Sequence, residues 1–206
     1  MNARRRRKII LDTDPAVGIP GTDADDPLAL MLAIKHPELD LLGVTTVFGN
    51  CPPTLGARSA AAVLHAAGRK DIPIAVGMGT SMSGGLPQAL IEAYAGQRGH
   101  PGRISLPELP DQTGRPHAVD LIIELVRASP GEVSIVAIGP QTNLALALLK
   151  EPRLRARSPR LSSWVVRSAW IQNSGAETSP LSQSATSGLT RRPPILSSNP
   201  ASISRW

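Results

Sequence analysis

Five aspartates fall between residues 12 and 26 of this chain, directly after its first apolar run. Lys8-Ile9-Ile10-Leu11-Asp12-Thr13-Asp14-Pro15 sets two carboxylates one residue apart, and Asp23-Ala24-Asp25-Asp26-Pro27 adds three more. Carboxylates packed this closely repel one another unless a cation lies among them. Hard divalent cations take oxygen ligands and suit such a group. Ile9–Asp12 reads as a buried strand, so the first pair leaves a strand at its carboxyl end, where open α/β sheets keep their ligands. The chemistry expected from the cluster is a metal site. The plainer reading gives Asp25 or Asp26 to the start of a helix, since acidic side chains favour a helix N-terminus.

The elements that must position these residues alternate from residue 8 to about residue 150. Strand patterns cover Ile9–Asp12, Leu39–Phe48, Ile74–Val76 and Val133–Ile138. Helical patterns cover Pro27–Lys35, Leu55–Ala67, Ala118–Ala128 and the stretch from Leu144 to Leu149. Val119, Ile122, Ile123 and Val126 line one face of the third of these helices. A Gly- and Pro-rich loop spans Gly77 to Gly114, with a short helix near Pro87–Ala95. This rhythm predicts an α/β fold, a Rossmann-like and mostly parallel sheet with helices on both faces. A length of 206 residues suits one such domain with a real core.

Composition bounds the rest. Net charge is +6, much of it in the run Arg4–Arg7. No second basic cluster or aromatic platform accompanies that run, so it reads as a solvated arm over residues 1–7 and not as a nucleic-acid patch. No apolar stretch is long enough to span a membrane, and no secretory signal is present. Cys51 is the only cysteine. It cannot form an internal disulfide, which fits a reducing cytoplasm, and it reads as a small buried apolar residue. His36, His65 and His117 read as surface or helix-end groups, and Asn143 as a loop residue. His100 reads as a solvated loop histidine, with a position facing a leaving base as the sharper alternative. From Ser158 onward serine and proline dominate, and periodicity fades. The expected organisation is the arm, an α/β domain over 8–157, and a poorly ordered tail over 158–206.

Several separated pieces resemble the inosine–uridine preferring nucleoside hydrolase family. Asp12-Thr13-Asp14-Pro15 with Asp25-Asp26 is similar to its N-terminal aspartate signature. Gly43 to Asn50 resembles its second strand and the Gly-Asn that follows. Ala118 to Glu124 and Ala137 to Ala147 resemble a later helix and a strand–loop–helix. The resemblance covers about residues 8–157. It implies hydrolysis of the N-glycosidic bond of a ribonucleoside to ribose and free base, through a water held on one Ca²⁺. It implies Asp14 as general base and metal ligand, Asp26 and the carbonyl of Thr142 as further ligands, and Asp25 and Asn50 as ribose contacts. Asp12 is implied as a supporting carboxylate. The family commonly forms homo-oligomers.

Two departures bear on those roles. Ala16 to Ala24 lengthen the usual gap between the aspartate pairs, as in a subgroup of the family, and Asp23 could replace Asp25. The family's later elements, among them another metal-binding Asp and a ribose-binding Asn-Val-Thr-Pro…Glu-x-Asn segment, are not legible in the tail. A shifted reading frame can spell part of what is missing: the codons of Leu161–Arg167 can then give Val-Val-Met-Gly-Gly-Ala, similar to the family's next strand and turn, and those of Gly175–Pro194 a segment containing Asn-Val-Thr-Pro-Val-Ala-Glu-Cys-Asn, similar to the ribose-binding segment. The expectation is a change of frame between about Glu151 and Leu161, and a chain with little or no activity. Two other classes compete: a non-catalytic ribose-binding module, and a phosphatase-like hydrolase using Asp12 as nucleophile and Asp14 as acid.

Overall fold

The computed structural model describes residues 6–19, 22, 24–97, 106–109 and 114–158. In chain order the elements are β1 (Arg7–Thr13), α1 (Asp25–Lys35), β2 (Leu39–Thr46), α2 (Pro53–Ala66), β3 (Ile74–Val76), α3 (Gln88–Gln97), α4 (Ala118–Ala128), β4 (Val133–Ala137), α5 (Thr142–Lys150) and α6 (Leu154–Arg157). The strands form one sheet in the order β3-β2-β1-β4, and every neighbouring pair is parallel.

Both faces of this sheet are covered, which is why its strands read as continuous apolar runs and not as alternating ones. Ile9 and Leu11 of β1 join Leu30, Ala33 and Ile34 of α1 and Ala60, Val63 and Leu64 of α2 on one side. Ile10 points the other way, with Val133 and Ile135 of β4, Val119, Ile122 and Val126 of α4, and Leu144 and Ala147 of α5. Ile10, Leu30, Ile122 and Val126 are fully excluded from solvent. Burial of each such aliphatic side chain stabilises the fold by about 1.5–3 kcal/mol. The α/β class, the parallel sheet and the helices on both faces are as the sequence predicts.

The chain runs from β1 to β2 to β3 in one direction and returns to place β4 on the other side of β1. The sheet therefore has a switch point between β1 and β4, and open α/β sheets keep their ligands at the carboxyl ends of strands beside such a point. The register Asp12↔Ala137 and Asp12↔Thr45 ties the aspartate signature to the ends of both neighbouring strands.

Local details correct some of the sequence readings. Helix α1 begins at Asp25, but its N-cap is Ala24 and no side chain caps it, so neither Asp25 nor Asp26 is the capping residue. Helix α5 begins at Thr142, which makes Asn143 a helical and fully buried residue, not a loop residue. The single turn α6 was not expected. It is tied down by the buried Leu154, by Gly131 N–H to Arg157 O at 2.7 Å, and by Ser158 Oγ to Val133 O at 2.9 Å. His117 caps α4, accepting from Val119 N–H through Nδ1, as a helix-end histidine should. The expectations for Asp23, His100 and residues 159–206 lie outside the described residues. Among those described, no helix is long and apolar enough to cross a membrane.

Candidate active site

Asp12 sits inside the sheet, 0% exposed, with its backbone in the β1 ladder. Its Oδ1 accepts from Thr45 Oγ1 at 2.6 Å and from Asn143 Nδ2 at 2.8 Å. Its Oδ2 has no hydrogen-bond partner. Burial drives the carboxyl up to about 6, against the opposing pull of the Asn143 and Thr45 bonds. Asn143 is the centre of this knot. Nδ2 also donates to Thr46 O at 2.9 Å, and Oδ1 accepts from Met78 N–H at 2.9 Å. One side chain thus joins β1, the end of β2 and the segment after β3. Gly77 lies against it so closely that a Cβ there would stand 2.4 Å from both Asn143 terminal atoms and 2.3 Å from Thr46 O.

Asp14 lies one residue beyond the end of β1 and is 7% exposed. Two glycines form the slot that holds its carboxylate. A Cβ on Gly49 would stand 1.9 Å from Oδ2, and one on Gly139 would stand 2.6 Å from Oδ1. Asn50 N–H donates to Oδ2 at 2.8 Å, a charge-assisted bond from the loop after β2. Gly49, Asn50 and Gly139, far apart in sequence, therefore serve one carboxylate.

Asp26 is 5% exposed on the first turn of α1. Its Oδ1 accepts from Thr13 Oγ1 and, at 3.2 Å, from Asp14 N–H. Burial raises its pKa, the bonds from Thr13 and Asp14 oppose the rise, and the neighbouring Asp25 charge adds to it. Asp25 itself is exposed, and its Oδ1 accepts from Asp26 N–H at 3.0 Å. Thr142 is buried as the first residue of α5. The fold thus gathers Asp12, Asp14, Asp26, Asn50 and Thr142 at one end of the sheet. It leaves Asp25 on the outer side of that group.

Cys51 is fully buried, with Sγ 3.6 Å from Pro15 O. Burial, then the Asp14 and Asp26 charges, push its thiol up to about 12, so it behaves as the apolar residue its sequence suggested. Tyr94, the chain's only tyrosine, was missed by sequence reasoning. Its hydroxyl accepts from Gly49 N–H at 2.8 Å and faces Gly49 O at 3.0 Å and Cys51 O at 3.1 Å.

The donors at the sheet end are all oxygens, two of the carboxylates are driven toward protonation by burial, and one buried oxygen is orphaned. A hard cation fits that chemistry. Among the described residues no three His, Cys, Asp or Glu side chains converge as a complete metal-holding group.

A parallel sheet that gathers carboxylates and glycine slots at its switch point belongs to the Rossmann-like α/β proteins that bind or transform small ligands there. Comparison with known proteins narrows the class. The profile described as inosine-uridine preferring nucleoside hydrolase matches residues 9–163, and the chain belongs to that family. Uridine nucleosidase 1 of Arabidopsis thaliana is 35% identical over 157 residues, covering 76% of this chain and 44% of the relative. The pyrimidine-specific ribonucleoside hydrolase RihA of Shewanella sp. (strain MR-7) is 37% identical, covering 75% and 46%. Among solved structures, the plant nucleoside hydrolase PpNRh1 matches with a TM-score of 0.60 and 34% identity, over 74% of this chain and 45% of that one. The purine-preferring ribonucleoside hydrolase of Gardnerella vaginalis matches with a TM-score of 0.58 and 27% identity, over 74% and 46%. The chain spans under half the length of each of these proteins.

Proposed function

We propose that this chain carries one side of a nucleoside hydrolase active site that cleaves the N-glycosidic bond of a ribonucleoside with the help of Ca²⁺. The observation that carries the reading is the seat of Asp14. Its carboxylate is wedged between Gly49 and Gly139, receives Asn50 N–H at 2.8 Å, and borders Asp26 at the sheet's switch point. Asp14, Asp26 and the Thr142 carbonyl would hold the cation, and Asp25 and Asn50 would face the ribose. Bound there, Ca²⁺ would supply the positive charge that brings a water's pKa toward neutrality.

The protein's own groups do the rest. Asp14 takes the proton of the attacking water, and the Asn50 N–H on Oδ2 holds that carboxylate in place as it does so. The neighbouring carboxylates favour the oxocarbenium character that develops on the sugar. Asp12 is excluded from the nucleophile role of a phosphatase-like enzyme: it is 0% exposed and its Oδ1 is held by Thr45 and Asn143. The relatives' names disagree on uridine, pyrimidine and purine, so the proposal stops at ribonucleosides.

We further propose that the 206-residue chain binds the cation but turns over little or no substrate, because translation leaves the family's frame between about Glu151 and Leu161. The family match ends at residue 163, in accord with that position. Resequencing the gene through these codons tests the frame: a single intact frame whose tail codons cannot spell the missing motifs refutes it. Calorimetric titration with Ca²⁺ tests the site. Binding to the full chain, lost in Asp14→Asn and in Asp26→Asn, is expected, with no base released from inosine or uridine. Absence of Ca²⁺ binding refutes the cation site, and calcium-dependent base release refutes the inactive reading.

A further inference from the structure

Tyr94 is the one described side chain of α3 that is buried, at 6% exposure, although α3 belongs to the long connection between β3 and α4. A Gly- and Pro-rich connection of this kind has little apolar surface with which to hold itself down. Beyond Met78, which Asn143 holds, two of its described anchorage points are polar. Arg58 of α2 donates to Leu106 O and Pro107 O at 3.0 and 3.1 Å and pairs with Glu108 at 2.7 Å. Tyr94 reaches 45 residues back to the loop after β2, where its oxygen meets Gly49 N–H, Gly49 O and Cys51 O. A phenol has one proton and can accept as well as donate, so a single hydroxyl fixes the loop's direction at two successive peptide groups.

The residue between those anchor points is Asn50. Its N–H points at Asp14 Oδ2, and the Gly49 backbone forms one wall of the Asp14 slot. We infer that Tyr94 is a positioning residue for Asp14. It acts through the Gly49–Cys51 backbone and makes no contact with the substrate. The inference rests on the reading of Asp14 as the general base, and deepens it: the connection carrying α3 sets the geometry of the reacting carboxylate from outside the sheet. A loop that swings by even part of an ångström withdraws both the N–H and the wall, and such displacement is costly where a catalytic group must be held.

Tyr94→Phe removes only the hydroxyl and keeps the ring in its site. Amide hydrogen exchange on the full chain reads the loop directly. The expected result is about tenfold or greater acceleration at Gly49, Asn50 and Cys51, with amides of β4 and α4 unchanged. In parallel, Ca²⁺ affinity measured by calorimetry should fall by a similar factor in Tyr94→Phe and further in Tyr94→Ala. Unchanged exchange at Asn50, or acceleration spread evenly over β4 and α4, overturns the positioning role and leaves a packing role. If the parent chain binds no Ca²⁺, the reading of Asp14 fails, while the exchange arm still decides whether Tyr94 orders the loop.

Discussion

Truncation of Asn143 to alanine should cost this domain a large part of its stability without touching any apolar core cluster. The side chain is 0% exposed and makes three hydrogen bonds of 2.8–2.9 Å, to Asp12, Thr46 O and Met78 N–H. Its removal strands the Thr46 carbonyl and the Met78 amide, and leaves Asp12 with only Thr45 while Oδ2 is already unpartnered. Each buried polar group left without a partner costs about 1–3 kcal/mol. Met78 is only half-buried, so the loss there belongs at the low end. A total of about 3–5 kcal/mol follows, against a stability of about 5–15 kcal/mol for a typical domain. Urea unfolding followed by far-UV circular dichroism should show a midpoint lower by about 1–3 M at an unchanged slope. Leu149→Ala on the same helix, at 66% exposure, should move the midpoint little. Should Asn143→Ala fail to fold, Gly77→Ala probes the same knot. Its Cβ would press on Asn143 and Thr46 at 2.3–2.4 Å, whereas Gly79→Ala meets nothing nearer than Pro53 Cγ at 4.0 Å. Equal midpoints for Asn143→Ala and Leu149→Ala, or for Gly77→Ala and Gly79→Ala, refute the reasoning.

Two further outcomes are expected. The buried Cys51 thiol, driven up to about 12, should resist a disulfide reagent in the native chain at pH 8 and react fully in urea; rapid native modification contradicts its burial. Burial raises the Tyr94 phenol, the only one in the chain, from its ordinary 10 to about 12. A pKa raised in the folded state favours the protonated form there. The associated stability is therefore complete below pH 10 and lost as pH rises from 10 through 12. Absorbance at the phenolate band should titrate near 12 in the folded chain, together with unfolding; titration at 10 with the fold intact contradicts the hydroxyl's placement.

Much of the architecture was legible because its signals are local. Helix α4 lies at the predicted Ala118–Ala128, since its apolar stripe at helical spacing finds a sheet to cover. The strands were readable as apolar runs for the same reason they are buried on both faces. Asn143 was not legible as a structural centre. The run Gly139-Pro140-Gln141 looks like a turn, and the partners that give Asn143 its role lie 131, 97 and 65 residues away in the chain. Tyr94 was hidden in the same way: an isolated aromatic in a polar connection carries no periodic signal, and its contacts lie 43 and 45 residues back.

The division of labour between Asp12 and Asp14 shows what the sheet adds to the motif. Residues two apart on a strand project from the same face, so strand periodicity by itself does not distinguish the two carboxylates. Strand β1, however, stops at Thr13. Asp12 remains in register with Ala137 and Thr45 and is sealed between β2 and β4. Asp14 has left the ladder, and its carboxylate lies in a slot made by loops that follow both neighbouring strands. The sealed carboxyl is pushed up to about 6 by burial and bound by uncharged donors, which suits a group that fixes the strand ends against each other. The second is held by a backbone N–H beyond the strand end, which suits a group proposed to bind a cation or accept a proton. Exchanging their neighbours should therefore separate the two functions. Thr45→Val removes a bond to Asp12 and weakens the fold, while an alanine at Gly49 or Gly139 displaces Asp14 and should abolish Ca²⁺ binding before it unfolds the sheet.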